Sequence, residues 1–459
     1  MEALGGECLR MTPESEQPVT KEPVLVLGMG ATGASCARYL ARRGVSAMFA
    51  DTRRAPTGII DIRRAMPEAD VRTGSMPADI PKAVSRLVVS PGLPMETPLI
   101  QLALQQGVEV LSDIDLFIAE CTQPLLAVTG SNGKSTVASM VAAILDAAGW
   151  KVGVGGNLGP PALDLLELKA DVYVLELSSF QLERSHELPA AAAVILNIAT
   201  DHLDQHLTGE SYTAAKARIY RACQTAVLNR DAPTVMALAP SATARISFGM
   251  DTPEAGQWGV RTVNAQEFIA RGADPVVAVD QLPLTGRHNL ANALAACAMA
   301  DAVDAPTAAM QQGLLAFHGL PHRMQTVPTA DGICWIDDSK ATNEAAAIAS
   351  IRSVTGPLVL IAGGDAKGAG FSQLATALAE RECTAVLLGR DADYLANALS
   401  GACTVQRVDS LAEAVKTAAR IAVPGSTVLL APACSSHDMF ADFADRGQQF
   451  TAAVRELAR

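Results

Sequence analysis

The chain has 459 residues, 49% of them apolar and 18% charged, with a formal net charge of −12. Such a length suits about three domains, each able to bury a sizeable core. The acidic balance and the lack of a basic stripe exclude a nucleic-acid partner, so any anionic ligand must be held by local lysines, helix N-termini and metal.

Nine cysteines run from Cys8 to Cys434 without a CxxC pair, so neither a disulfide framework nor a structural zinc site is expected and the chain reads as cytoplasmic. No apolar run reaches the roughly 18 residues of a membrane span. Residues 1–22 form a polar tail with no basic segment leading into an apolar core, which predicts no signal peptide; Met11 is an alternative start.

The first block covers 23–113. Val24–Leu27 reads as a buried strand, Gly28-Met29-Gly30-Ala31-Thr32-Gly33 as a Gly-rich turn, and Ala34 to about Arg43 as a helix ended by Gly44. Val45–Ala50 is a second strand closing on Asp51, which stands 18 positions after Gly33. This spacing fits a dinucleotide fold with Asp51 on a ribose, a site for another nucleotide, or a plain tight turn. Leu87-Val88-Val89 is a further strand, ending in the turn Ser90-Pro91-Gly92.

The middle block covers 114–317. The apolar run Leu125–Thr129 is followed by Gly130-Ser131-Asn132-Gly133-Lys134-Ser135-Thr136, and Val137–Leu145 has apolar residues at helical spacing. Strand, Gly-rich turn and helix make a phosphate loop. Glycines let N–H groups wrap an anion, and the helix N-terminus adds partial positive charge. Lys134 would reach the outer phosphates, and the hydroxyl of Ser135 or Thr136 would hold Mg²⁺. The standard pattern has Gly where this chain has Val128, and a plain turn with a solvated lysine is the competing reading.

Gly155-Gly156-Asn157-Leu158-Gly159 brings backbone close to a neighbour and offers an amide that both donates and accepts; a simple turn is the alternative. Asp171–Glu176 is a buried strand ending in a carboxylate. Beside a phosphate loop, Glu176 is a natural Mg²⁺ ligand, direct or through water. Val194–Ile198 leads into Asp201-His202-Leu203-Asp204-Gln205-His206, which carries metal-competent side chains. Glu176 and the loop favour a hard, oxygen-preferring ion over zinc, and a polar loop capping a strand is the alternative. Ser211–Arg221 reads as a helix, with Lys216 as a solvated lysine on it. Another helix begins near Arg287. Asn289 and Asn292 share one of its faces, where they read an adenine edge or merely cap the helix.

The last block covers 318–459, where strands Ile333–Ile336, Leu358–Ala362, Ala385–Leu388 and Thr427–Leu430 alternate with helices. This pattern is a further doubly wound unit. Polar residues gather at its strand ends: Asp337-Asp338-Ser339-Lys340-Ala341-Thr342-Asn343, Gly363-Gly364-Asp365-Ala366-Lys367-Gly368, and Pro432-Ala433-Cys434-Ser435-Ser436-His437-Asp438.

In order and spacing, Thr-Gly-Ser-Asn-Gly-Lys-Ser-Thr at 129–136, Gly-Asn-Leu-Gly at 156–159, Glu-Leu-Ser-Ser-Phe-Gln-Leu at 176–182, Asp-His-Leu-Asp at 201–204 and Gly-Arg-His-Asn-Leu-Ala-Asn-Ala at 286–293 resemble the Mur ligase family. The resemblance covers nearly the whole chain after residue 22. The stretches 337–343 and 432–450 are similar to the glutamate-adding branch of that family. The fold so implied is α/β with three domains: a Rossmann-like N-terminal domain, a central phosphate-loop ATPase domain and a Rossmann-like C-terminal domain.

The resemblance reassigns several residues. It implies that Thr32, Asp51, Thr52, Arg53, Asn157 and His202 bind a uridine-nucleotide substrate in place of NAD. Gly130 to Thr136, Asn289, Asn292, Arg323 and Asp338 would serve ATP. Ser135, Glu176, His202 and Lys216 would hold two Mg²⁺ ions, with Lys216 carrying a CO₂-derived carbamate. Lys134, His202, Lys216 and Lys340 would be catalytic, and Thr342, Lys367, Ser436, His437 and Phe443 would bind the amino acid. His437 departs from the leucine usual at its position.

The implied activity is ATP-dependent amide-bond formation through an acyl phosphate, in peptidoglycan precursor synthesis. The expected partners are UDP-N-acetylmuramoyl-L-alanine, D-glutamate and ATP, with no nucleic acid and no membrane, and the expected state is a monomer. Three readings compete: a ligase of the same scaffold using L-glutamate or another acceptor, as in folylpolyglutamate synthase; a nicotinamide dehydrogenase; and a non-catalytic nucleotide binder. The last would have lost Lys134, Glu176 or His202, and the chain keeps all three.

Overall fold

Three sheets carry the chain, of five, nine and six strands. The computed structural model describes residues 22–457 apart from 158, 199–208, 242, 285, 330–331, 367 and 369. Two compact units divide it, Met1–His318 and Gly319–Arg459. The first two sheets share the first unit. Among the described residues no helix is long and apolar enough to cross a membrane.

The first sheet is parallel throughout, in the order Asp70–Thr73, Ala47–Asp51, Val24–Leu27, Arg86–Val89, Glu109–Leu111. Its central strand is buried at all positions, as a strand covered on both faces must be. The helix after it spans Ala31–Arg43, three residues earlier than its sequence suggests, with Gly30 as its N-cap. Gly33 therefore lies inside the first turn. A Cβ there would come 2.1 Å from the Gly28 carbonyl oxygen, so only glycine fits.

The central sheet runs Asp274–Ala278, Gln266–Arg271, Trp258–Val263, Ala244–Phe248, Thr225–Asn229, Ala192–Ile195, Leu125–Thr129, Val172–Glu176, Val152–Gly156. Six of these strands form a parallel body, and Trp258–Val263 joins it to an antiparallel ribbon that the sequence reading does not anticipate. Trp258 is fully buried, and its indole N–H donates to Asp301 at 3.0 Å. Leu125–Thr129 lies between Val172–Glu176 and Ala192–Ile195, so the ends of three neighbouring parallel strands converge at one place.

Within the first unit, the first and second sheets are tied by polar contacts across an apolar seam. Arg38 pairs with Asp164 through contacts of 3.0 and 2.6 Å, and the Tyr39 hydroxyl donates to Glu120 at 2.9 Å. Ile114, Phe117, Leu163 and Leu182 are buried in one cluster with both sheets.

The second unit has six strands in the order Gln325–Val327, Cys334–Asp337, Thr427–Leu430, Leu358–Gly363, Cys383–Leu388, Thr404–Arg407. Only Gln325–Val327 is antiparallel to its neighbour. Apolar clusters around Leu360, Leu374 and Leu395 and around Trp335, Val428 and Phe450 cover its faces.

Candidate functional site

Leu125–Thr129 delivers the Gly-rich loop to the carboxyl edge of the central sheet, and helix Lys134–Ala147 leaves it. Gly133 caps this helix at φ 84°, a left-handed value that favours glycine, and a Cβ there would meet the Asn292 side-chain oxygen at 2.5 Å. Asn292 thus stands against the loop, from helix Arg287–Asp301. Asn289 lies one turn before it on the same helix.

Lys134 folds over its own loop and donates to the carbonyls of Gly130 at 3.0 Å and Ser131 at 2.9 Å. Lys216 reaches the same Gly130 carbonyl, also at 3.0 Å, and the Thr129 hydroxyl at 3.3 Å. Its helix, Gly209–Ala217, presents Lys216 inward and not to solvent: the residue is 1% exposed. The sequence reading of a solvated lysine is therefore corrected. Helical periodicity alone could not tell which face of a weakly amphipathic segment would be covered. Burial, with the positive charge of Lys134, pulls the Lys216 ammonium down to about 7 against the opposing pull of Glu176. Tyr212, one turn earlier, lies under the Lys216 ammonium at 4.6 Å and meets the Ser131 hydroxyl at 3.1 Å.

Glu176 ends the neighbouring strand and is 2% exposed. Its Oε1 accepts from the Asn157 amide at 2.7 Å, while Oε2 is buried without a hydrogen-bond partner. An orphaned carboxylate oxygen beside a phosphate loop fits a hard, oxygen-preferring cation. Ser135 is buried on the first turn of the loop helix. His202 lies outside the described residues.

Asn197 has no assigned role in the sequence reading, and the structure gives it one. Its carbonyl accepts from Ser131 N–H at 2.9 Å, its side-chain oxygen accepts from Asn132 N–H at 2.9 Å, and its amide donates to the Asn132 carbonyl at 3.1 Å. It acts as a template that fixes the loop's backbone. The only sequence signal was an Asn just beyond an apolar strand. Ser178 and Gln181, within the Glu-Leu-Ser-Ser-Phe-Gln string, form a capping box on helix Ser179–Arg184, so these two residues build backbone.

The first Gly-rich turn differs. Asp51 is 3% exposed and accepts from Met29 N–H at 2.7 Å, Arg53 N–H at 2.8 Å and the Arg53 guanidinium at 2.9 and 2.6 Å. Burial raises its carboxyl, but these donors outweigh burial and hold it at about 2. Four donors fill a carboxylate's acceptor capacity. The dinucleotide reading needs that carboxylate on a ribose, and here it is spent on the turn itself. Thr52 and Arg53 are exposed beside it and Thr32 is half-buried.

In the second unit, Asp338 is 6% exposed; it accepts from Met324 N–H at 3.1 Å and from the Ser350 hydroxyl. Burial pushes its carboxyl up, with Arg323 among the opposing charges. Lys340 stands 4.1 Å over the Phe443 ring, and Thr342 N–H donates to the Lys340 carbonyl at 2.8 Å. Ser436 is 3% exposed, whereas His437 is exposed and contacts the Ala441 carbonyl at 3.0 Å. Asn343 caps helix Glu344–Ser353. Lys367 lies outside the described residues.

Arg446 is a buried organiser that the sequence reading does not single out. Only 2% exposed, it donates to the Ser339 hydroxyl and carbonyl at 2.9 and 2.8 Å and to the Cys434 carbonyl at 3.3 Å. Burial draws its guanidinium down to about 10. It joins the strand-end turn that carries Lys340 to the one that carries Ser436.

Three family models match the chain: "Mur ligase MurD-like, N-terminal domain" over residues 22–112, "Mur ligase middle domain" over 128–300 and "Mur ligase, glutamate ligase domain" over 322–434. Proteins named UDP-N-acetylmuramoylalanine–D-glutamate ligase are similar along almost their whole length. The one from Nitrosococcus oceani is 44% identical over 97% of this chain and 99% of its own. The one from Pseudomonas aeruginosa is 45% identical over 95% and 98%. Among solved structures, the UDP-N-acetylmuramate-alanine ligase MurC of Thermotoga maritima superposes with a TM-score of 0.59 at 17% identity, covering 95% of this chain and 100% of that one, a likeness of fold.

Proposed function

The chain belongs to the Mur ligase family, and from that premise we propose that it joins D-glutamate to UDP-N-acetylmuramoyl-L-alanine with ATP, through an acyl phosphate, in peptidoglycan precursor synthesis. The observation that carries the chemistry is the meeting of Lys134, Lys216 and Glu176 at the end of one sheet. The choice of D-glutamate over L-glutamate or a folylpolyglutamate-type acceptor rests on the relatives' names.

A carboxylate is a poor acyl donor because oxide leaves badly. Transfer of the γ-phosphoryl group of ATP to the substrate carboxylate turns that oxygen into a phosphate leaving group. Catalysis of this transfer is mostly positioning and charge neutralisation. Gly130 to Thr136 offer N–H groups and hydroxyls to the phosphates, Asn197 holds that backbone in shape, and Lys134 follows the charge as it moves. Asn289, Asn292, Arg323 and Asp338 are assigned to the rest of ATP.

Ser135, Glu176, His202 and Lys216 are the residues that would hold Mg²⁺, two ions in this reading, and the ion supplies charge neutralisation at phosphoryl oxygens. The lowered Lys216 supports its conversion to a carbamate: the neutral amine adds to the carbon of CO₂, loses a proton, and becomes an oxygen donor. Thr32, Thr52, Arg53 and Asn157 are assigned to the uridine-nucleotide substrate, with Asp51 building their turn.

Thr342, Lys367, Ser436, His437 and Phe443 are assigned to the amino acid, with Lys340 supporting the acyl phosphate. The α-amine attacks the acyl carbon, and the tetrahedral oxyanion needs nearby cations before phosphate leaves. The compartment that fits is the cytoplasm, where ATP and free thiols are maintained.

The test is phosphate release from ATP with UDP-N-acetylmuramoyl-L-alanine and each glutamate enantiomer. With both carboxylates fixed, the wrong hand turns its amine away from the acyl carbon, and D should exceed L by about a thousandfold. Equal turnover would overturn the D-glutamate assignment. Phosphate release that ignores both acceptors would overturn the ligase itself.

A further inference from the structure

Two cysteines stand side by side in the second unit, at the strand edge opposite the one that carries Lys340 and Ser436. Cys383 opens strand Cys383–Leu388, and Cys403 immediately precedes strand Thr404–Arg407. These strands are parallel with Thr384 opposite Thr404, so the register sets Cys383 opposite Cys403. Paired positions of parallel strands share a face, at a spacing of about 4.8 Å, within the Cα separation of roughly 4.4–6.8 Å that a disulfide spans. Both side chains pack on the same apolar cluster, with Leu374, Leu395 and Leu399 in its core. Both thiols are half-buried, whereas Cys36, Cys223, Cys297 and Cys434 are buried.

The two thiols also differ in acidity. The neighbouring Cys403 sulfur pushes the Cys383 thiol up, with burial adding to it, and the pairing holds Cys403 below the usual thiol range against burial. One partner is thus the readier thiolate and the other stands within reach to resolve it.

We propose that Cys383 and Cys403 are a modification site that closes to a reversible disulfide when hydrogen peroxide is the oxidant. The Cys403 thiolate attacks the peroxide oxygen, forming an S–O bond as the O–O bond breaks and hydroxide leaves. The Cys383 sulfur then attacks the sulfenic sulfur, the S–O bond breaks, and the oxygen departs as water with the Cys383 proton. Two thiols lose two electrons, and the peroxide is reduced to two molecules of water. The bond ties the edge strand Thr404–Arg407 to its neighbour across the helix Ala392–Ala398, which lies between them in the chain. Because it forms at the amino ends of the strands, the polar residues at their carboxyl ends are left in place.

The experiment uses the full chain, treated with hydrogen peroxide, blocked with a maleimide and digested with trypsin. Cleavage after Arg381, Arg390 and Arg407 yields peptides 382–390 and 391–407, each with a single cysteine. The expected product is these two peptides linked, lighter than their sum by two hydrogens and separated by a thiol reductant. The oxidised protein should melt several degrees higher, since the unfolded chain then carries a closed loop. In Cys383→Ser, dimedone should label Cys403, because its sulfenic acid has lost its resolving partner. The proposal is overturned if both peptides are recovered unlinked from peroxide concentrations that oxidise the exposed Cys334, or if the link forms faster in urea than in the folded protein.

Discussion

The first unit holds two strand–turn–helix loops rich in glycine, and they do opposite things with the same backbone. At 28–33 the glycines let backbone press on backbone, and the neighbouring strand sends in Asp51, which is neutralised by Arg53 and the turn's own N–H groups. At 130–136 the loop's own Lys134 and Lys216 from helix Gly209–Ala217 share one carbonyl, and the adjacent strand sends in a glutamate with an unpartnered oxygen. The glycines permit both outcomes. What separates the two turns is whether the charges gathered on them cancel in pairs, as Asp51 and Arg53 do, or set two cations on one carbonyl.

The strongest way to test this contrast is Lys134→Ala. If the loop holds the phosphates as proposed, the variant should lose about a thousandfold or more in kcat, since water cannot replace a fixed cation on a phosphoryl group in flight. The melting temperature should barely move. A variant purified free of host enzyme that keeps most of its turnover would make Lys134 an ordinary surface lysine.

Next in size is Lys216→Ala, with an expected loss of a hundredfold or so that a small carboxylate in solution partly restores. The pH dependence sharpens the test. Lys216 titrates at about 7, and only its neutral amine can take up CO₂. At limiting CO₂, wild-type activity should therefore climb as pH rises through 7, whereas rescued Lys216→Ala should lack that rise. Full activity in the variant would remove the carbamate from the reading.

Asn197→Ala should cost about tenfold to a hundredfold in kcat/KM, because the loop keeps its charges and loses its template. A change in stability with unchanged kinetics would make Asn197 a purely structural residue.

Asp51→Asn should act on the other side of the comparison, on stability more than on turnover. The carboxyl sits at about 2 in the fold against 3.8 ordinarily, a difference of about 2 kcal/mol in order of magnitude. A depressed carboxylate stabilises above its ordinary value, and that stabilisation is lost as pH falls through its folded value. Urea unfolding should therefore weaken in the wild type from about pH 4 to pH 2 and be flatter in Asp51→Asn across that window. An identical acid limb in both proteins would contradict the role given to this turn.

The two loops were unequally legible in the sequence. Gly130 to Thr136 is a continuous string, and its context of apolar strand and helix is local, so both the loop and Lys134 could be read directly. Asn197 and Arg446 act on residues far away in sequence, and nothing near them in the chain marks the contact. Lys216 was misread from its residues because Gly209–Ala217 has little amphipathic pattern, so sequence could not say which side would be covered. The ribbon Trp258–Ala278 went unread for a different reason. Its first turn is Asn264-Ala265, both at positive φ, without the glycine that usually announces such a hairpin.

The strand order of the second unit bears on how the protein is made. Thr427–Leu430 sits between Cys334–Asp337 and Leu358–Gly363, yet it is the last strand to be synthesised. Until the ribosome has passed it, the pair Gln325–Val327 and Cys334–Asp337 has no strand to join it to Leu358–Gly363, Cys383–Leu388 and Thr404–Arg407. Arg446, which joins two of the strand-end turns, comes later still. A nascent chain therefore completes the first unit, with its Gly-rich loop, long before it can assemble the turns assigned to the amino acid. A chain that stops between the end of the first unit and residue 427 keeps the Gly-rich loop at 130–136 but lacks the central strand of its second sheet.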